Sequence, residues 1–271
     1  MLIAQITDPH LRTPGQKAYR VVETDRYLPP AIEALNALEP RPDIVLITGD
    51  LTDFGRSAEY VHLRDQLAAL KLPWVMVPGN HDRREALRAA FPEHDYLGTE
   101  GFMHYCLEDW PLRLIGLDTL IEGEGGGALC RERMDWLEAR LEEQPERPTV
   151  IFMHHPPFAI GIGHMDAQGL SGADELEALV QRFPCVERLL CGHAHRTIVR
   201  RFGGTIASVC PGVAHQVALD LRPEAPGTFC LEPPGYQIHL WEAGALVTHH
   251  ATLGDYPGPF RFRENGALID D

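Results

Sequence analysis

No Cys-x-x-Cys pair occurs in the 271 residues, and the six cysteines, at 106, 130, 185, 191, 210 and 230, are scattered. Zinc-ribbon and thioredoxin-type chemistry therefore lacks its ligand or redox pair. Some of these thiols sit in apolar runs such as Leu189-Leu190-Cys191, where a buried free cysteine is expected, and reduced thiols suit a cytoplasmic setting. Basic residues are scarce too: 24 Lys and Arg stand against 39 Asp and Glu, a formal net charge of −15. That balance argues against a nucleic-acid polymer as partner, since such binders neutralise phosphates with Lys and Arg. A small anionic substrate remains compatible if bound cations make the local field positive. No apolar run is long enough to span a bilayer, so no membrane partner is expected, and the first eight residues lack the basic and apolar regions of a signal peptide.

What is present is ordinary globular composition, 44 % hydrophobic and 23 % charged, enough for one large α/β domain with a small appendage. Strands are expected at 2–6, 44–47, 74–77 and 149–153, with helices marked by Leu28, Ala31, Ile32, Leu35 and Leu38, by Tyr60, Leu63, Leu67 and Leu70, and by Met134, Leu137 and Leu141. This alternation predicts an α/β core over 1–196. Beyond it the helical period fades. Stretches at 197–202, 205–209, 229–231, 236–241 and 245–250 read as strands joined by Gly/Pro turns, which predicts a β-rich extension or cap over 197–255 and a surface tail over 256–271.

The residues that follow the strands carry the chemistry. Asp8-Pro9-His10, Gly49-Asp50-Leu51-Thr52-Asp53, Gly79-Asn80-His81-Asp82, His154-His155 and Gly192-His193-Ala194-His195 each come after an expected strand. In open α/β sheets, ligands bind outside the carboxyl ends of the strands, so five such loops can share one crevice. On extended backbone, side chains two apart point the same way, which would pair Asp8 with His10 and His193 with His195. Asp, Asn and His donors without thiolate suit two divalent ions such as Mn, Fe, Co or Zn. The seven candidate ligands are Asp8, His10, Asp50, Asn80, His154, His193 and His195. They are too many for one ion with an open position and suit two ions about 3.5–4 Å apart that share a carboxylate.

These motifs, present in order over about residues 1–200, resemble the calcineurin-like metallophosphoesterases. Met153-His154-His155-Pro156-Pro157 and Pro211-Gly212-Val213-Ala214-His215-Gln216 narrow the likeness to the bacterial glycerophosphodiesterases and the class III cyclic-nucleotide phosphodiesterases. The resemblance implies a four-layer α/β/β/α sandwich. It implies Asp8, His10 and His195 on one metal, Asn80, His154 and His193 on the other, and Asp50 bridging. It also implies attack on phosphorus by a metal-bound hydroxide, with Asn80, His81 and His215 facing the substrate and a β-rich cap used for homo-oligomerisation.

His81, adjacent to Asn80, is expected to diverge from it and to act as the catalytic proton donor beside Asp50. Asp53 and Asp82 are candidates to orient ligand histidines, although Asp53 reads better as a turn or helix N-cap. Asp118 is a further candidate for the site's lining, and His155 reads as structural. The function expected is hydrolysis of small phosphate diesters. A phosphomonoesterase, for which Arg12, Lys17 and Arg20 offer cations, and a non-catalytic metal-binding scaffold are the alternatives.

Overall fold

Side-chain alternation along the strands decides where the cores form. In the computed structural model, which describes residues 1–264 and 266–269, all of Ile44–Thr48 is buried, yet its two faces serve different layers. Val45 and Ile47 pack with Leu28, Ala31, Ile32 and Leu35 of the helix Leu28–Asn36, and with Tyr60, Leu63 and Leu67 of the helix Ser57–Leu67. Ile44 and Leu46 face the other way, onto Leu114, Val150, Phe152 and Leu190 of a second sheet. The opposite faces of that sheet, through Ile115, Ile151 and Leu189, meet Leu137, Leu141, Leu176 and Val180 of the helices Arg131–Glu143 and Ala173–Arg182. Three cores between four layers give the α/β/β/α sandwich, and the period of two along each strand is its cause.

The first sheet runs Ala245–Thr252, Gly235–Glu242, Leu2–Ile6, Ile44–Thr48, Trp74–Val77, the last three parallel. The second runs Ile198–Phe202, Thr205–Val209, Val186–Cys191, Thr149–Met153, Arg113–Leu117, Tyr105–Leu107, with parallel pairing among its four central strands. Residues 197–255, expected as an extension or cap, thus pair with the strands of 1–196 on both sheets. Leu2 lies opposite Leu240, and Ala207 beside Leu189. Main-chain groups at the edges of the two sheets need partners, and these strands supply them. Within 197–255 the short pairing of Gln216–Val217 with Phe229–Cys230 stands apart from both sheets. Of the tail, residues 265, 270 and 271 lie outside the described residues.

The second helix starts at Ser57 because the Glu59 carboxylate accepts the N–H groups of Phe54 and Arg56. The six cysteines are free. Among the described residues no helix is long and apolar enough to cross a membrane.

Candidate metal centre

Five loops leave the carboxyl ends of parallel strands drawn from both sheets, and main-chain hydrogen bonds zip them together. Asp8 and His10 donate their N–H groups to the carbonyls of Gly49 and Asp50, at 3.1 and 2.9 Å. The Gly192 N–H reaches the His154 carbonyl at 2.9 Å, and that of Val213 the Thr7 carbonyl at 3.1 Å. Close approach here requires glycine: a Cβ on Gly49 would strike the His154 ring, and one on Gly192 the Thr7 hydroxyl and Thr48 carbonyl.

The pairing of Asp8 with His10 and of His193 with His195 does not arise from extended backbone. Asp8, His10, Asp50, His193 and His195 all have positive φ, between 44° and 68°. Left-handed turns, costly for residues with a Cβ, swing these side chains inward, and such strain persists where surrounding structure enforces it.

The donors meet in two groups. In the first, His10 Nε2 lies 3.1 Å from His195 Nε2, which is 3.2 Å from Asp8 Oδ1, and His10 Nε2 is 3.4 Å from Asp50 Oδ2. In the second, Asn80 Oδ1 lies 3.0 Å from both His154 Nε2 and His193 Nδ1, and His154 Nε2 is 3.4 Å from the same Asp50 Oδ2. One oxygen of Asp50 thus borders both groups, while its Oδ1 accepts the His81 N–H at 2.8 Å.

These separations match the edges of a coordination polyhedron, about 3.0–3.4 Å for bonds near 2.1 Å. The tautomers agree. His154 donates Nδ1–H to the Thr48 carbonyl at 2.8 Å, and His195 donates Nδ1–H to the His215 carbonyl at 3.0 Å, so both present Nε2 inward. Asp8 Oδ2 is held by the Thr7 hydroxyl and the His193 N–H, whereas its buried Oδ1 has no hydrogen-bond partner. Burial by itself would raise the Asp50 pKa, but the neighbouring imidazoles of His154, His81 and His10 hold it well below the ordinary range. The donor set fits a pair of divalent cations around Asp50.

His155 is close, its ring centroid 4.6 Å from that of His193, but its nitrogens are committed. Nε2 donates to the Gly125 carbonyl at 3.2 Å and Nδ1 accepts from the Thr119 hydroxyl at 2.8 Å, and burial beside His154 pushes its pKa down to about 3. It is a neutral structural imidazole. Two expectations for the acids reverse. Asp53 neither caps a helix nor merely shapes a turn; its Oδ1 faces His10 Nδ1 at 3.4 Å, and its Oδ2 meets Arg12 at 3.4 Å. Asp82 faces no ligand histidine among the described residues. Its carboxylate accepts the N–H groups of Leu51, Thr52 and Gly79 and the Tyr60 hydroxyl, tying the Asp50 loop to the Asn80 loop. Asp118 is likewise removed from the cavity, gripped by Arg84 at 2.6 and 2.8 Å.

A cavity of about 290 Å³ opens over the cluster, lined by His10, Asp50, Asn80, His81, His193, His195 and His215. His81 donates Nδ1–H to the Asp53 carbonyl at 2.7 Å and so diverges from Asn80, as the sequence implied. His215 lies with its ring 4.5 Å from that of His195. Sequence reasoning missed Tyr19, His164, Gln168 and Phe229 on the walls, isolated residues without a motif to mark them. Another cavity of about 250 Å³, around Pro156, Phe158 and Arg200, contains none of these groups.

Residues 1–197 match the family model of the calcineurin-like phosphoesterases. The chain is 40 % identical to a probable glycerophosphodiester phosphodiesterase GpdQ of Arcobacter nitrofigilis, over 100 % of both chains. It is 31 % identical to the 3′,5′-cyclic adenosine monophosphate phosphodiesterase CpdA of Escherichia coli, over 93 % of this chain and 90 % of that one. Among solved structures, a dimetal phosphatase from Danio rerio superposes with a TM-score of 0.69 at 15 % identity, covering 93 % of this chain and 98 % of that one.

Elemental analysis should find close to two divalent ions per chain after loading, fewer than one in Asp50→Ala, and nearly two in His81→Ala; full occupancy in Asp50→Ala would remove the shared carboxylate. A pH dependence follows as well. Burial opposes charging His154, but Asp50 and Asp8 raise its pKa from 6.5 to about 9, so the metal-free protein holds a proton where a cation would bind. A raised histidine pKa stabilises the fold fully below the unfolded value and loses that contribution as pH climbs through the folded one. Between pH 6.5 and about 9 the melting temperature of the metal-free protein should therefore fall while metal affinity rises. Calorimetry in buffers of different ionisation enthalpy should register proton release on binding, and its absence at pH 7 would contradict the assignment.

Proposed function

The chain belongs to the calcineurin-like phosphoesterase family, and we propose that it holds one divalent cation on Asp8, His10, Asp50 and His195 and a second on Asp50, Asn80, His154 and His193. It is a metal-dependent hydrolase of small phosphate diesters. Bound cations of this kind acidify a water and offset charge on the phosphoryl oxygens. Manganese, iron, cobalt and zinc all suit this donor set.

The chain's own groups do the rest. His81, anchored through Nδ1 to the Asp53 carbonyl, lines the cavity with its ring, and Nε2 is the remaining nitrogen able to give a proton to the departing alkoxide. Burial opposes protonation of His81, but the charges of Asp50 and Asp53 and the hydrogen bond to the Asp53 carbonyl raise its pKa, which favours the donor form. Asn80 and His215 border the same space, where the phosphoryl oxygens would lie.

One observation carries the diester reading furthest. A second cavity, also about 290 Å³, shares Asn80, His81 and Gln168 with the first and extends towards Phe54, Arg83 and Glu124. Two rooms meeting at His81 suit a phosphorus with an alcohol arm on each side. A cyclic nucleotide, whose two ester oxygens belong to one sugar, needs a single room, so the reading favours acyclic glycerophosphodiesters. A dianionic monoester would call for free cations; Arg12 is tied to Asp53 and Glu59 and Lys17 to Glu23 at 2.9 Å, which leaves Arg20, exposed and without an ion pair among the described residues, as the one of the three still available.

With manganese loaded, the enzyme should prefer bis(p-nitrophenyl) phosphate and glycerophosphodiesters to p-nitrophenyl phosphate and 3′,5′-cyclic AMP; a clear monoester preference overturns the diester assignment. In that assay His81→Ala should lower kcat by roughly 10²-fold or more with metals retained. We also propose a homo-oligomer, supported by the exposed apolar side chains Tyr256, Phe260, Phe262 and Leu268 of the tail, which a second copy would cover. Light scattering should give a multiple of the 30.3 kDa chain, and a monomer at micromolar concentration would refute it.

A further inference from the structure

One part of the cavity lining differs from the rest. It is built from His164, Met165, Gln168, Val217, Gly227, Thr228 and Phe229, without a charged side chain. His164 stands out there because neither ring nitrogen has a hydrogen-bond partner among the described residues; Nδ1 is closed off from solvent, so Nε2 is the nitrogen left to meet a ligand. A substrate hydroxyl at Nε2 would give the ring the hydrogen bond it lacks.

Two arms hold the ring in place. The short helix Gly163–Asp166 is clamped where the Asp166 carboxylate accepts the N–H groups of Ile160 and Gly161, at 2.7 and 3.0 Å. The Gln168 amide donates to the His164 carbonyl at 3.2 Å. From the other side comes the segment around 221–228. A Cβ on Gly227 would sit 3.3 Å from His164 Cδ2, and one on Gly163 2.8 Å from the Pro223 carbonyl, so the arms touch at glycines beside the ring. His164 is thus fixed before substrate arrives, in the connection that follows His154.

We propose that His164 is a specificity-determining residue, hydrogen-bonding a hydroxyl on the alcohol arm of the substrate. Met165, Val217 and Phe229 supply apolar contact for the carbon chain, and the imidazole both donates and accepts as a hydroxyl does. A charged arm finds no counter-charge on this wall; a polyol arm does not need one. The proposal rests on the diester reading and assigns one of its two rooms to a hydroxylated alcohol.

The test compares manganese-loaded wild type, His164→Ala and His164→Gln on glycerophosphoethanolamine and on bis(p-nitrophenyl) phosphate, which carries no free hydroxyl. The ratio of kcat/KM between the two substrates should fall about tenfold in His164→Ala, mainly through KM for the glycerol diester. His164→Gln, which keeps hydrogen-bonding atoms at similar reach, should restore much of the ratio. An unchanged ratio in His164→Ala, or an equal loss on both substrates with metal content preserved, overturns the proposal. Wild type that cleaves only bis(p-nitrophenyl) phosphate also overturns it while leaving the diester reading intact. Wild type that cleaves neither diester removes both.

Discussion

The Asp50 carboxylate, buried with one oxygen 3.4 Å from His10 Nε2 and 3.4 Å from His154 Nε2, is the group around which the structure is arranged. An ionised carboxylate out of water is costly unless neighbours offset it. Here the offset comes from imidazoles whose own nitrogens face one another: His10 and His195 bring their Nε2 atoms to 3.1 Å. Two lone pairs at that distance repel unless a proton or a cation lies between them. Protonation and metal binding are therefore rival solutions to one electrostatic problem, and every donor in the cluster is placed for one or the other.

Such a cluster cannot be held by its loops alone, since five of its residues occupy strained backbone conformations. The restraint comes from beneath. Gln5, pointing between the sheets, donates its side-chain amide to Thr48 Oγ1 in its own sheet and to the Cys191 carbonyl in the other, both at 3.0 Å, and its Oε1 meets His239 Nε2 at 3.1 Å. Thr48 and Cys191 immediately precede the loops of Asp50 and His193. A fully satisfied polar tie thus fixes one sheet against the other just below the site, where apolar contact by itself would permit sliding.

The candidate ligands, which the fold brings together, were visible in the sequence because hard donors cluster in short runs after strands. The supporting roles were not. Asp82 and Asp53 look alike in sequence, each three residues past a glycine or a ligand aspartate, yet one accepts backbone N–H groups while the other faces His10 Nδ1. Nothing local separates them, since the difference lies in which distant loop folds alongside. The strands near the carboxyl end were visible, but their partners were not: Leu240 beside Leu2 is a contact across the whole chain, on which alternation is silent. The helix Ala173–Arg182 escaped notice although Leu176, Leu179 and Val180 have helical spacing, because its surroundings are rich in glycine and acid.

Net charge completes the argument about substrate. A chain at −15 repels anions at a distance, and a monoester near neutrality carries about twice the charge of a diester. Of the cations near the site, Lys17 is paired with Glu23 and Arg12 is internal, Arg20 is exposed, Arg83 lines the second room, and among the described residues no Lys or Arg lines the main cavity. At the cavity itself, attraction would fall to the cations proposed on Asp50 and its neighbours, effective only within a few ångströms because salt screens the remainder. A singly charged substrate with neutral arms meets the smaller repulsion outside and the same attraction inside. The field of the whole molecule thus points the same way as the proposed reading of the two rooms.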